Sequence, residues 1–182
     1  MRLSLPSLVL LAASFGMPAL AQLAPDPVAD SIVHNLTRGL RIPGQSTEPP
    51  TTPGGVVQST TTAPPEIPAV SLMIVFDSGS AALSRQAEAV VASLARALAT
   101  PALAKSRFRI EGHTDAEGDA PMNQALSERR AEAVREVLVT RYGVAPMRLE
   151  TVGFGETQLL VPTPDGQAEA RNRRVQVINL GE

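Results

Sequence analysis

The run Ile110-Glu111-Gly112-His113-Thr114-Asp115-Ala116-Glu117-Gly118, with the segment Asn123 to Ala131 behind it, leaves this chain little freedom. Arg107 to Glu111 alternates, with Phe108 and Ile110 on one side, as a half-buried strand does. It runs into a polar loop bracketed by Gly112 and Gly118, which let the backbone turn tightly. The helix that follows carries Leu126, Arg130, Ala133, Val134, Val137 and Leu138 at spacings that fall on one face. A permanently charged guanidinium in an apolar stripe is costly unless it is paired or faces a ligand. Asp115 in the preceding loop leaves two outcomes open. Either it pairs with Arg130, or the two form a receptor of fixed geometry for a group bearing both charges.

The rest of the C-terminal two thirds has the same order of signals. Leu72 to Phe76 is a short apolar run suited to a buried strand. Ser84 to Ala99 predicts a helix, with Ser84 as its cap and Ala87, Val90, Val91, Leu94 and Leu98 on one face; Thr100-Pro101 closes it. Asn123 to Tyr142 is the longer helix, ended by Gly143 where a left-handed cap is expected. Arg148 to Val152 and Arg174 to Ile178 supply two further strands. The order βαβαββ predicts an α/β (α+β) fold. Its expected form is a two-layer sandwich with the helices packed on a mixed four-stranded sheet.

Upstream the composition changes. Between Gln22 and Val70 there is no Phe, Trp or Tyr, and proline occurs nine times. The stretch 43–70 is dominated by Pro, Thr, Gly, Ser and Gln, too little apolar surface to offset chain entropy, and is expected to be a flexible spacer. In polyproline-like geometry Pro43 to Pro68 could reach on the order of 80 Å. In the segment 22–42, Val28, Ile32, Val33, Leu36 and Leu40 recur at helical spacing. Such a helix is either weakly formed and solvated or a docking element for another protein. The domain 71–182 is expected to fold alone.

The motifs Gly112-His113-Thr114-Asp115, Leu126-Ser127-x-x-Arg130-Ala131, Gly153-Phe154-Gly155-Glu156 and Asn172-Arg173-Arg174-Val175, in that order, resemble the OmpA-like peptidoglycan-binding domain family. The resemblance runs from about Ser71 to Leu180 and implies the same layered fold. It implies a ligand, the diaminopimelate of a peptidoglycan stem peptide. Asp115 matches the family's ammonium-binding position and Arg130 its carboxylate-binding position; a planar guanidinium meets a carboxylate in a bidentate way. Thr114 and Asn123 could hydrogen-bond a peptide or cap the helix, with capping favoured for Asn123. Leu126, Phe76 and Asp77 correspond to positions bordering the family's pocket, and Arg173 is either a second cationic contact or a solvated strand end.

The N-terminus reads as an export signal over residues 1–21. Met1-Arg2 precedes an apolar stretch, and Ala19-Leu20-Ala21 has the small-x-small pattern of a cleavage site. Cleavage would remove Arg2 and take the formal charge from −2 to −3. That balance speaks against a nucleic-acid partner. The chain has no cysteine, which leaves no disulfide and no lipid-bearing thiol. With the resemblance, this implies a periplasmic protein associated with the cell wall or outer membrane. No cofactor and no metal is expected: His113, Asp115 and Glu117 lie close together, but the only other histidine is His34. Ser78, Ser80 and Ser127 have no His or Cys partner at a nucleophile's spacing, so an enzyme is not expected.

Overall fold

The computed structural model describes residues 25–38, 56–74, 76 and 79–182. The expected signal peptide and the spacer up to residue 55 lie outside them, as does Asp77. The elements are helix α1 (Pro27–Leu36), strands β1 (Val57–Gln58) and β2 (Ala69–Leu72), helix α2 (Arg85–Leu98) and strand β3 (Arg107–Gly112). Helix α3 (Ala120–Thr140), β4 (Leu149–Gly153) and β5 (Val175–Gly181) follow, with short 3-10 turns at Pro146–Arg148 and Ala170–Asn172. The sheet is mixed, in the order β1-β2-β5-β3-β4. Only β3 and β4 run parallel, joined through α3; the other pairs are antiparallel.

The α+β sandwich is the predicted architecture, with one more strand than the expected four. Register explains the two faces. Val70, Val177 and Ile110 are aligned across three strands, and Leu72 and Val175 across two, and all are fully buried beneath the helices. The helices supply Val91, Leu94, Leu98, Val134 and Leu138 to that core. Helix α2 is capped as expected, Ser84 Oγ accepting from Ala87 N at 3.1 Å. Helix α3 begins three residues earlier than predicted and gives way to Gly143 at φ +69°. Its spare carbonyls are met by Gly143 N and Val144 N, which donate to Val139 O and Leu138 O.

The region read as spacer departs from expectation. The strand is Ala69–Leu72, not Leu72 to Phe76, and all four residues are buried. Ser71, Gln176 and Glu111 form a row on the sheet face away from the core, and residues 59–62 cross that face. Thr62 N donates to Gln176 Oε1 at 2.9 Å, Gln176 Nε2 donates to Glu111 Oε2 at 2.8 Å, and Ser71 Oγ donates to Thr60 O at 2.8 Å. Polar side chains inside a sheet must find partners, and the Thr-rich backbone supplies them.

Helix α1 is not solvated, and its apolar face is already occupied. Ile32 and Leu36 are fully buried and Ala29 nearly so, packed into the same core. Asp26 caps it, accepting from Val28 N and Ala29 N at 3.1 Å, and pairs with Arg96 of α2. Asn179 Nδ2 closes its far end on Leu36 O at 2.9 Å. Ile32→Ala should therefore cost about 2–4 kcal/mol in urea-unfolding experiments. A chain beginning at Ser71 should be less stable still; equal stability would show α1 to be an adornment. Among the described residues no helix is long and apolar enough to cross a membrane.

Candidate functional site

The site is set by how closely α3 approaches the sheet. Gly112 of β3 and Gly153 of β4 are register partners, and both face Ser127. A Cβ on Gly112 would sit 2.0 Å from Ser127 O, and one on Gly153 would sit 2.5 Å from Ser127 Oγ and Glu128 N. Ser127 Oγ accepts from Gly155 N at 2.8 Å and fastens the turn after β4 to the helix. The Gly-rich ends of two parallel strands thus let α3 lie on backbone, which brings Arg130 to the strand ends.

The loop after β3 is held through its backbone. His113 N donates to Arg174 O at 3.0 Å, Thr114 N to Gly155 O at 2.9 Å, and Gly166 N to Ala116 O at 2.7 Å. Asn123 does not cap α3; Asp119 holds the cap position, without a side-chain bond. Asn123 is one turn inside the helix, where its amide donates to Glu117 O at 3.1 Å, Asp115 O at 3.4 Å and Glu156 Oε2 at 2.6 Å. It is a clasp for the loop that carries Asp115.

Asp115 and Arg130 face one cleft of about 730 Å³, which Thr114, Asn123, Leu126, Phe76 and Arg173 also line. They do not pair with each other. Asp115 Oδ2 takes Arg173 Nη1 at 2.5 Å and Glu169 N at 3.2 Å; Oδ1 has no hydrogen-bond partner among the described residues. Arg130 Nε donates to Ser80 O at 3.1 Å, and its guanidinium lies 4.8 Å from the centre of the Phe76 ring. Among the described residues no carboxylate forms an ion pair with Arg130. Burial, then the neighbouring charge of Arg173, pulls its pKa below the ordinary arginine value, with Asp115 acting the other way. A buried cation lacking a full counter-charge is suited to receiving an anion.

The motif Asn172-Arg173-Arg174 divides into three tasks. Asn172 ties down the segment before it, accepting from Val161 N and donating to Val161 O, both at 2.9 Å. Arg173 reaches Asp115. Arg174, which burial pushes down to about 10, turns to the far sheet face and donates to Thr62 Oγ1 and Gln158 O. Residues 157–170, whose path the sequence leaves undetermined, bring Ala168 to the cleft lining and the Glu169 amide to Asp115. Arg129 and the exposed Met122 on the cleft wall were also missed; their only signal is that each lies one helical turn from Leu126.

The His113 ring makes no hydrogen bond. It is fully buried and stacked on Phe154 at 5.5 Å, with neither nitrogen partnered and Glu111 Oε2 at 3.8 Å, too long for a bond. Burial holds its pKa below the usual histidine value, and Glu111 offsets only part of this. Because the folded value is below the unfolded one, stability is full above about pH 6.5 and declines as the pH falls below it. Glu111, also lowered, extends the loss below its own unfolded value. The melting temperature should drop between about pH 7 and pH 5.5, and His113→Leu should flatten that part of the curve. An unchanged profile in the variant would assign the acid sensitivity elsewhere.

A profile of the OmpA family matches residues 75–173 of the 182. The chain belongs to the OmpA family. It is similar to outer membrane porin F of Pseudomonas aeruginosa, 35% identical over 155 residues, covering 84% of this chain and 43% of that protein. It is also similar to the peptidoglycan-associated lipoprotein of the same organism, 45% identical over 71 residues, or 39% of this chain and 42% of that one. Among solved structures, the cell wall anchor of the T6SS from Pseudomonas aeruginosa superposes with a TM-score of 0.53 at 27% identity. That match covers 63% of this chain and 81% of the other. The chain spans less than half the length of the curated relatives it matches. The OmpA family match begins just before Phe76 and ends at Arg173, so it encloses Thr114, Asp115, Asn123, Leu126 and Arg130.

Proposed function

We propose that this protein binds peptidoglycan non-covalently through the diaminopimelate of its peptide stem and so anchors an envelope component to the cell wall. One observation carries the reading: Asp115 and Arg130 share a cleft without neutralising each other. Diaminopimelate ends in a centre bearing an ammonium and a carboxylate. Asp115 Oδ1 is open to the first, while Oδ2 is steadied by Arg173 and the Glu169 amide. Arg130, fixed through Nε and the Phe76 ring, turns the rest of its fork to the second. Relatives named as a peptidoglycan-associated lipoprotein and a cell wall anchor support the ligand class. The site consists of binding groups, and the proposed role is non-enzymatic and periplasmic.

The second reading, an envelope-complex subunit with weak wall binding, draws on the Arg173 contact, which already occupies part of Asp115. A partner for it would have to use a surface other than the apolar face of α1, which is buried on α2. Sedimentation with purified walls separates the two. Walls containing diaminopimelate should carry the protein down, and walls with lysine in that place should do so at least tenfold more weakly, because lysine lacks the carboxylate. Equal sedimentation with both would overturn the proposal.

A further inference from the structure

Beyond Arg130 and Arg173 the cleft continues into a smaller cavity of about 160 Å³. Met73, Ile74 and Ala170 line it, with Phe76 and both guanidiniums shared with the main cleft. Its floor is apolar, since Ile74 is buried in the core and Met73 half-buried. Its mouth is cationic. The Arg173 side chain spends Nη1 on Asp115 and makes no other hydrogen bond among the described residues, with 44% of it exposed. An apolar floor beneath a partly free guanidinium suits a small apolar group bearing a carboxylate. The volume sets the size. At about 160 Å³ against about 730 Å³ for the main cleft, it suits a single small residue.

We propose that this cavity is a subsite for the residue that follows the gripped one in an uncross-linked stem. A terminal D-alanine would set its methyl against Met73 and Ile74 and its free carboxylate on Arg173. The inference rests on the proposed reading of Asp115 and Arg130. It adds a preference: stems ending in one free alanine over stems ending at diaminopimelate, and over cross-linked stems, whose alanine carboxylate is an amide. Arg173 then has two tasks, bracing Asp115 through one nitrogen and reading the ligand's end through the others.

The test is calorimetry of the full chain with three synthetic stems. These are a tripeptide ending in diaminopimelate, the tetrapeptide with terminal D-alanine, and that tetrapeptide as its C-terminal amide. The acid tetrapeptide should bind about tenfold more tightly than the other two, the yield of one buried methyl and one charge-assisted contact. Ala170→Leu, an exposed position at the cavity's edge, should fill it, erase that preference and leave tripeptide affinity unchanged. Equal binding of all three peptides by the unaltered protein, or a preference that survives Ala170→Leu or amidation, overturns the subsite while the diaminopimelate reading stands. If the tripeptide and the tetrapeptide both fail to bind, that reading falls and takes the subsite with it.

Discussion

Arg130→Ala and Asp115→Ala are each expected to lower affinity for diaminopimelate-containing peptidoglycan by roughly 30-fold or more. Truncating one partner of a desolvated, charge-assisted contact costs about 2–5 kcal/mol. The two variants should differ in what they do to the fold. Arg130 makes one hydrogen bond and one ring contact, and its burial as a cation is itself unfavourable, so its removal should leave the melting temperature nearly unchanged. Asp115 anchors Arg173 and the Glu169 amide, so its loss should also loosen the segment 157–170 and expose it to proteases. A folded Arg130→Ala protein that sediments with walls as the parent does would end the receptor account.

The largest effect on stability should come from a single methyl group. In Gly112→Ala the new carbon would lie 2.0 Å from Ser127 O and 2.8 Å from Ser127 C, both backbone atoms of α3. No rotamer relieves such a contact; the helix must lift from the sheet. The expected cost is about 3 kcal/mol or more, lowering the melting temperature by about 10 °C. Wall binding should fall with it, since Arg130 rides on the displaced helix. Gly118→Ala is the informative comparison. Its φ is +96° with nothing within 4 Å of the added carbon, so it should cost only backbone strain, about 1–2 kcal/mol. If Gly112→Ala melts no lower than Gly118→Ala, the close approach of α3 is not what the glycine serves.

The parts of the molecule legible in the sequence are those fixed by local periodicity. Phe108 and Ile110 announced β3, the apolar stripe announced α3, and Ser84 announced the start of α2. Arg130 stood out because its position in that stripe conflicts with its charge. What could not be read depends on residues far apart. Ser71, Gln176 and Thr62 are unremarkable polar residues until strand register brings them together. Asn123 looks like a cap until Glu156 and the loop carbonyls arrive beside it. Arg173 meets Asp115 across 58 positions, and neither carries a mark of the other. The docking of α1 was hidden likewise, since a short amphipathic helix among prolines has the same pattern whether it packs or not.

That docking also fixes where mechanical load would enter the domain. The chain joins α1 beside Arg96, near the C-terminal end of α2, through the Asp26 contact. The cleft lies beyond the other end, where Ser80 meets Arg130 ahead of the α2 cap. The two are separated by roughly the 20 Å length of a 14-residue helix. With the upstream chain held at one point and a wall strand gripped in the cleft, tension runs lengthwise along α2. Under the proposed reading, α2 would carry the load between tether and ligand.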